Sequence, residues 1–270
     1  MNYRHAFHAG NFADLVKHAA LLQLMARLTA GEPLTVIDTH AGRCLYDLAG
    51  SEAKRSGEAE AGILRLMTAN DAPAAFAPLT DAVGRLNGGG AVRRYPGSPW
   101  LIAETLRPGD SYLACELRAE EHGALAQVLK SKPNVRTLCA DGYEVAARQA
   151  PAGRTLVLLD PPFERADDYA RIVETGAAVR RRNREAVLMV WLPLKDLATF
   201  DAFLADFEDG VATPLVAECR IRPLTDPMKM NGCALVLAGA PAGLADPLDA
   251  ICRWTAEALG QGGEGRVWQA

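Results

Sequence analysis

The run Thr155-Leu-Val-Leu-Leu-Asp-Pro-Pro-Phe163 predicts a buried strand that ends abruptly at a carboxylate. Its first five residues carry no charge and have the usual length of one strand. The two prolines cannot continue a strand or a helix, so the chain leaves the predicted sheet at Asp160. We therefore expect an α/β protein in which Asp160 follows the carboxyl end of a strand.

The same pattern, a short apolar strand followed by a polar residue, recurs along the chain. The predicted strands are Leu34–Asp38, Ser111–Glu116, Val135–Asp141, Thr155–Asp160 and Ala186–Leu192. The predicted helices cover residues 12–29, with Asn11 as N-cap, and Ala119–Leu129, Tyr143–Arg148, Asp167–Val179 and Leu194–Asp206. This alternation indicates right-handed βαβ units and a doubly wound, mostly parallel sheet. Two later predicted strands, Leu215–Ile221 and Cys233–Ala238, have no helix between them and are expected to pair antiparallel. A final helix is predicted over Ala245–Leu259.

An unusually long gap separates the first two strands. Asp38 and the next acidic strand end, Glu116, lie 78 positions apart (116 − 38). Helical patterns occupy much of the gap, and a break follows at Asn87-Gly-Gly-Gly90. We therefore predict a small helical insertion subdomain over residues 50–95, with residues 1–49 and 96–270 forming the main domain.

Composition excludes several classes of protein. The 270 residues include six scattered cysteines with no C-x-x-C pair, which predicts reduced thiols and a cytoplasmic protein. No cysteine or histidine pair has zinc-ligand spacing, and no apolar run approaches the roughly 20 residues of a membrane span. The net charge of −4 argues weakly against a nucleic-acid partner. Local basic runs at Arg180–Arg184 and Arg93-Arg94 are equally consistent with nucleic-acid contacts and with solvated surface.

The chemistry predicted at Asp160 is the activation of an exocyclic amino group. The N6 nitrogen of adenine is a poor nucleophile because its lone pair is delocalised into the ring. Hydrogen bonds from N6 to the Asp160 carboxylate and to the Pro161 carbonyl would localise that lone pair for methyl transfer. Phe163 would stack on a base taken out of its helix. The competing interpretation is an ordinary turn after a strand.

Other polar groups are expected to meet Asp160 at the same crevice. Asp38-Thr-His-Ala-Gly42 places a glycine after the first strand, where backbone can approach a ligand. Glu116 suits the two hydroxyls of a ribose, and Asp141-Gly142 suits the edge of an adenine. Each has a simpler alternative, namely a structural His40, a solvated Glu116 and a turn at Asp141. Ser98 is predicted to cap a helix opened by Pro99, and also to face the crevice.

The opening Tyr3-Arg-His-Ala-Phe-His-Ala-Gly-Asn11, followed by Ala13-Asp14 and Lys17-His18, resembles the RlmJ family of bacterial 23S ribosomal RNA adenine-N6 methyltransferases. The similarity continues through Asp38–Gly42, Tyr95-Pro-Gly-Ser-Pro99, Glu116, Asp141-Gly142 and Asp160–Glu164. The resemblance implies a Rossmann-like class I methyltransferase fold with an inserted helical subdomain. It also implies that S-adenosylmethionine is bound, that Asp160 is catalytic and that Tyr3 contacts RNA. The implied cofactor contacts are His18, His40, Ser98, Glu116, Asp141 and Gly142, to which we add Lys17, Asp38, Gly42 and Asp160.

Two departures from the family pattern affect the predicted site. Gly42 is followed by Arg43 and Cys44, where the family commonly has a second glycine two positions on. Phe163 replaces the usual tyrosine, which keeps stacking and removes one hydroxyl. The expected partner is 23S ribosomal RNA, either protein-free or in an early assembly intermediate, and the expected protein is a monomer without membrane or metal.

Three alternative functions follow from the same residues. A nicotinamide oxidoreductase would need G-x-G-x-x-G after the first strand, and the residues from Gly42 onward do not supply it. A non-catalytic RNA-binding module would need neither the two prolines nor Glu116. A methyltransferase acting on DNA adenine or on a protein glutamine remains open, because the same motif serves any planar amino group.

Overall fold

The computed structural model of the chain describes residues 7–50, 55–226 and 229–270. The ten strands in these residues are β1 (Thr35–Asp38), β2 (Leu45–Asp47), β3 (Arg94–Pro96), β4 (Ser111–Cys115), β5 (Val135–Leu138), β6 (Thr155–Leu159), β7 (Val187–Leu194), β8 (Leu215–Arg220), β9 (Gly232–Ala238) and β10 (Glu264–Gln269). The longer helices are α1 (Phe12–Leu28), α2 (Arg65–Thr68), α3 (Ala77–Leu86), α4 (Ser98–Thr105), α5 (Ala119–Leu129), α6 (Gly142–Gln149), α7 (Asp168–Arg182), α8 (Leu197–Gly210) and α9 (Ala245–Leu259).

Eight strands form one mixed sheet in the order β10-β8-β9-β7-β6-β1-β4-β5. The five strands from β7 to β5 are mutually parallel, whereas β9 runs antiparallel to both β7 and β8. Strand order reverses between β1 and β6, which creates the crevice in which such sheets bind ligands. The predicted Rossmann-like, doubly wound and mostly parallel sheet is therefore confirmed.

Helices cover both faces of the sheet, so the central strands are buried throughout. In β6 the side chains of Leu156 and Leu158 join one apolar cluster, and those of Val157 and Leu159 join another. The first cluster is completed chiefly by α1, α4, α5 and α9, and the second by α6, α7 and α8. This two-sided burial explains why the strand lacks any alternation of polar and apolar residues.

The inserted segment is helical, as predicted, and packs against α1. A π-helical turn (Glu60–Leu64) continues into α2, and a 3₁₀ turn (Ala74–Phe76) precedes α3. The Ile63 N–H donates to the Gly10 carbonyl at 2.9 Å, and the Gln23 amide donates to the Ala75 carbonyl at 2.9 Å. The apolar side chains of the inserted segment join the same buried cluster as those of α1 and α9. The division into a main domain and a 50–95 subdomain stays a prediction.

Two pairings were missed by the sequence interpretation. Antiparallel strands β2 and β3 tie the start of the insertion to its end, with Tyr46 opposite Tyr95. At the other end of the molecule, β10 follows the predicted final helix and pairs antiparallel with β8. The Glu218 side chain in β8 is fully buried and accepts a hydrogen bond from Arg266 of β10 at 2.9 Å. The charged residues Glu264 and Arg266 make β10 hard to identify from sequence, because the side chain that pairs with Arg266 lies 48 residues away (266 − 218).

Strand β7 and helix α8 have different bounds from those predicted. The strand continues to Leu194, and the helix begins only at Leu197. Asp196 caps that helix by accepting the Thr199 N–H at 2.8 Å. The apolar run Trp191–Leu194 therefore belongs wholly to the strand, and a polar cap starts the helix.

A glycine permits β10 to lie directly on α9. A Cβ atom at Gly265 would lie 2.3 Å from the Arg253 backbone nitrogen and 2.3 Å from the Cys252 carbonyl carbon. We predict that Gly265→Ala lowers the free energy of unfolding by about 1–3 kcal/mol, because the strand must move away from the helix. Gly123→Ala in α5 is the control, since its Cβ would meet nothing within 4 Å.

Urea unfolding of both variants provides the measurement. The control should be unchanged or more stable by up to about 1 kcal/mol, because alanine is the better helix former. Equal stability of Gly265→Ala and the wild-type protein would contradict the proposed close approach.

Candidate active site

A cavity of about 510 Å³ opens at the carboxyl edge of the parallel strands. It brings together nearly all of the residues predicted from separate parts of the chain. Those that line it are Lys17, His18, His40, Gly42, Ser98, Glu116, Asp141, Gly142, Asp160, Pro161 and Phe163. Asp38 lies behind this wall with a fully buried side chain. Tyr3 lies outside the described residues.

Asp160 is held by an ion pair with Lys17 of α1. The Lys17 Nζ lies 2.6 Å from Asp160 Oδ2 and 3.2 Å from Asp14 Oδ1. The Asp14 carboxylate also accepts the Gly10 N–H at 2.9 Å. Side-chain exposure is 7% for Lys17, 3% for Asp14 and 16% for Asp160, so the pair is shielded while Asp160 still reaches the cavity. Lys17 thus contacts the predicted catalytic carboxylate directly, a contact that sequence alone did not indicate.

Phe163 forms part of an aromatic wall beside Asp160. Its backbone has a φ of 50°, a left-handed conformation that is uncommon outside glycine. The ring is half-buried, with its centroid 4.9 Å from that of Tyr169 and 6.0 Å from that of Trp191. Trp191 also lines the cavity, and Lys17 Nζ lies 5.9 Å from its ring centroid. This wall offers apolar surface next to a charged acceptor.

Asp38 organises the wall from behind. Its Oδ2 accepts hydrogen bonds from the Ser98 hydroxyl at 2.9 Å and the Tyr112 hydroxyl at 3.2 Å, and its Oδ1 accepts the His40 N–H at 3.2 Å. Ser98 was predicted to be an N-cap, and this is wrong. The cap position is Gly97, and Ser98 is the first helical residue of α4. The Ser98 hydroxyl donates to the buried Asp38 carboxyl and accepts no cap hydrogen bond from the helix.

Two histidines in the cavity wall form hydrogen bonds with hydroxyl groups. Burial lowers the pKa of His40 to about 4, so its ring is uncharged at neutral pH. His40 Nδ1 lies 2.8 Å from the Thr39 hydroxyl oxygen. His18 Nδ1 lies 2.8 Å from the hydroxyl oxygen of Tyr95, whose pKa is raised by burial, so that this hydroxyl stays protonated.

The loop after β1 adopts its shape although it has only one glycine. Gly42 has a φ of 65° and Cys44 a φ of 77°, so Cys44 takes the left-handed conformation usual for a second glycine. Arg43, between them, pairs with both oxygens of Glu121 at 2.9 Å. The departure from the family pattern is therefore accommodated by the cysteine backbone.

Glu116 links this loop to the next strand. Its Oε2 accepts the Gly42 N–H at 3.0 Å, and its Oε1 accepts the Arg118 N–H at 2.7 Å. Both oxygens are thereby fixed in orientation at the cavity wall. The carboxylate retains further lone pairs that a diol could use.

Asp141 and Gly142 form the far end of the cavity. Asp141 caps α6 by accepting the Tyr143 and Glu144 N–H groups at 3.0 and 3.4 Å. A Cβ at Gly142 would lie 2.0 Å from the Thr39 carbonyl oxygen, so only glycine allows the two loops to touch. The ends of β1 and β5 therefore share one backbone contact.

Several lining residues were not singled out from the sequence. Asp14, Tyr143, Arg171, Trp191 and Lys195 all face the cavity. Asp14, Tyr143 and Arg171 lie within helices and Trp191 lies within β7, so a search of strand ends does not find them. Lys195 directly follows β7, whose end was predicted at Leu192 rather than at Leu194. The Arg180–Arg184 run lies elsewhere, since Arg180 donates to the Ala186 carbonyl just before β7, at the opposite edge of the sheet. This position removes that run from the surroundings of the cavity.

The described ranges contain no group of three or more side chains able to hold a metal ion. No helix in these ranges is long and apolar enough to cross a membrane. All six cysteines are free, and all except Cys139 are buried.

Comparison with known proteins gives a consistent result over nearly the whole chain. Residues 31–270 match the family described as "Ribosomal RNA large subunit methyltransferase D, RlmJ". The chain is 30% identical over 271 residues to ribosomal RNA large subunit methyltransferase J of Escherichia coli, covering 99% of this chain and 97% of that protein. It is 31% identical over 270 residues to the Haemophilus influenzae protein of the same name, covering 98% and 96%. A crystal structure of a Legionella pneumophila protein has a TM-score of 0.89 at 25% identity, covering 97% of this chain and 98% of that one.

The buried Asp38 predicts a pH dependence of stability. Burial, reinforced by the negative charge of Asp160, raises the pKa of Asp38 from 3.8 to about 7. The folded protein therefore binds the proton of the Asp38 carboxyl group more tightly than the unfolded chain does. Its stabilising contribution is complete below about pH 4 and is lost as the pH rises through about 7.

We predict that Asp38→Asn loses less stability than the wild-type protein between pH 4 and 8. Ser98→Ala is the companion variant, because the Ser98 hydrogen bond lowers the pKa of Asp38. Without that donor, the loss of stability seen in the wild-type protein should move to higher pH. Urea midpoints measured across this range report both effects. Parallel curves for Asp38→Asn and the wild-type protein would show that Asp38 does not titrate in this way.

Proposed function

The chain belongs to the RlmJ family of ribosomal RNA large subunit methyltransferases, and we propose that it methylates the exocyclic N6 of an adenine in 23S ribosomal RNA. The observation that carries the proposal is the place of Asp160, between the Lys17 ammonium and the open cavity. S-Adenosylmethionine, the methyl donor, supplies an electrophilic methyl group on a positively charged sulfur. The form of the RNA substrate, the oligomeric state and the contact of Tyr3 with RNA stay predictions.

The cavity fits this donor in size, charge and shape. Its volume of about 510 Å³ is typical of pockets for small molecules and cofactors. Glu116 would receive the ribose hydroxyls, and the backbone of Gly42 and Gly142 lines the same cavity. The uncharged ring of His40 also suits a sulfonium ligand, because a protonated histidine would repel it.

Asp160 has the geometry of an acceptor for an amino group. Lys17 occupies Oδ2, which fixes the orientation of the carboxylate and leaves Oδ1 to take one N6 hydrogen. The carbonyl of Pro161, held by the two prolines, would take the second. S-Adenosylmethionine would supply the methyl group that N6 accepts, and the electron pair of the broken carbon–sulfur bond would remain on sulfur. The excess proton on N6 then passes to Asp160 and onward to water. Asp160 stabilises the positive charge that develops on N6, so its effect is greatest in the transition state.

The aromatic wall would hold the base during this step. Taking an adenine out of its stack costs a few kcal/mol, and one aromatic contact returns about 1–3 kcal/mol. Phe163 supplies such a contact immediately after the two acceptors. Tyr169 packs against this ring, with the two centroids 4.9 Å apart, and supports it.

We predict that Asp160→Ala remains folded and binds S-adenosylmethionine, yet transfers methyl groups at least about a hundredfold more slowly. Asp14 still pairs with Lys17 in this variant, so the lysine is not left without a counter-ion. The measurements are melting temperature, cofactor affinity by calorimetry and single-turnover methylation on one preparation.

Asp167→Ala is the matched control. Asp167 lies on the same loop, but it is half-exposed and pairs with Arg165 at 3.0 Å, so turnover should not change. Near wild-type turnover by folded Asp160→Ala would refute the mechanism. A parallel loss of stability, affinity and turnover would indicate that Asp160 only holds a turn.

We predict that Phe163→Ala impairs turnover mainly through binding of RNA, with the cofactor affinity little changed. Phe163→Tyr should retain activity because it keeps the ring. The comparison is KM for RNA against the calorimetric Kd for S-adenosylmethionine. Normal KM and turnover in Phe163→Ala would exclude a stacking role.

The substrate itself is tested by mass spectrometry of ribosomal RNA. RNA from a strain lacking this gene is digested before and after treatment with the purified protein. A new N6-methyladenine in one 23S fragment supports the proposal. Methylation of DNA or of a protein glutamine, with no change in ribosomal RNA, would overturn it.

A further inference from the structure

Arg171 is a charged group inside the cavity with no part in the chemistry described above. It lies on α7, its side chain is 19% exposed, and it lines the cavity beside Asp141. One guanidinium nitrogen donates to Asp141 Oδ2 at 2.8 Å. The guanidinium carbon lies 4.4 Å from the ring centroid of Tyr143, over its face. The side chain therefore joins a carboxylate to an aromatic ring.

The ring on which Arg171 lies is itself fixed. The Tyr143 hydroxyl donates to Asp168 Oδ1 at 3.2 Å, and Asp168 is almost completely buried. The His40 ring meets Tyr143 edge-on, with centroids 4.7 Å apart. A planar guanidinium between a fixed ring and a carboxylate has little freedom to turn. Arg171 thereby holds Asp141 in one orientation.

The hydrogen bonds to Asp141 leave it one acceptor position. An ionised carboxylate has about four lone-pair sites. Oδ1 accepts the Tyr143 and Glu144 N–H groups, and Oδ2 accepts from Arg171. Burial alone would raise the pKa of Asp141. The hydrogen bond and the charge of Arg171 more than offset that effect, so the pKa of Asp141 lies below its ordinary value. The site that remains, on Oδ2, is thus an acceptor of a single hydrogen bond at the cavity wall.

We propose that Arg171 is a positioning residue that makes the cavity selective for a 6-amino purine over a 6-oxo purine. It orients Asp141 so that the remaining lone pair accepts the amino group of the cofactor's adenine. A 6-oxo purine would set its carbonyl oxygen against the carboxylate, which leaves two acceptors facing each other. This inference rests on the proposed function, because the adenine is that of S-adenosylmethionine.

The experiment compares calorimetric affinities for S-adenosylhomocysteine and S-inosylhomocysteine, which differ in the purine ring. The wild-type protein should bind the adenosine compound about ten- to a hundredfold more tightly, the effect of one charged hydrogen bond. Arg171→Met should lose most of this preference. Arg171→Lys should keep part of it, since the charge remains while the planar contact with Tyr143 is lost.

Arg148→Met is the matched control. Arg148 lies on α6 and pairs with Glu144 at 3.6 Å, with 77% of its side chain exposed. Removing it deletes an arginine–carboxylate pair next to the site without touching the cavity, so the preference should not change. Circular dichroism monitors the fold of each variant, and Arg171→Lys decides the question if the methionine variant unfolds.

Three results would overturn the inference. They are an unchanged preference in Arg171→Met, an equal loss of affinity for both compounds in that variant, and equal binding of both by the wild-type protein. In each case the protein still binds the adenosine compound or methylates RNA, so the proposed function stands. Failure of the wild-type protein to bind either compound would instead remove the proposed function.

Discussion

The buried ammonium of Lys17 is the contact on which the arrangement of the site depends. It lies between two carboxylates that are 146 positions apart in the chain (160 − 14), and it fixes α1 to the edge of the sheet. Buried ion pairs contribute little net stability, because desolvation offsets their attraction. The pair between Lys17 and Asp160 instead favours this placement of α1, since another placement would take Lys17 away from Asp160. The Gly10 N–H, bound to Asp14, and the Ile63 N–H, bound to the Gly10 carbonyl, extend this constraint into the insertion.

Sequence reasoning succeeded where the physics is local. The strand at Thr155–Leu159 and the position of Asp160 follow from hydrophobic runs and proline stereochemistry, and the structure has both. The cap of α1 by Asn11 depends only on a hydrogen bond to Asp14, three residues away, and it too was predicted. The crevice followed from topology, because strand ends in a parallel sheet must share one edge.

Sequence reasoning failed where a side chain's partner is distant. Nothing near Ser98 in sequence indicates that its hydroxyl turns to Asp38, 60 positions away (98 − 38), rather than to a helix end. Arg171 lies on a helix face that resembles solvated surface until Asp141 and Tyr143 are placed beside it. Strand β10 carries charged residues, and the partner of Arg266, the buried Glu218, lies 48 positions away (266 − 218). Each failure concerns an electrostatic partner rather than a hydrophobic pattern.

The central place of β1 has a consequence for synthesis of the chain. Thr35 pairs with Ser111 on one side and with Thr155 on the other, and both partners follow β1 in the chain. The second partner is made 120 residues later (155 − 35). At translation speeds of about 5–20 residues per second, that interval lasts roughly 6–24 s. During this interval, β1 has at most one of its two neighbouring strands. The nascent chain therefore presents an unpaired apolar strand for seconds, a state that chaperones recognise.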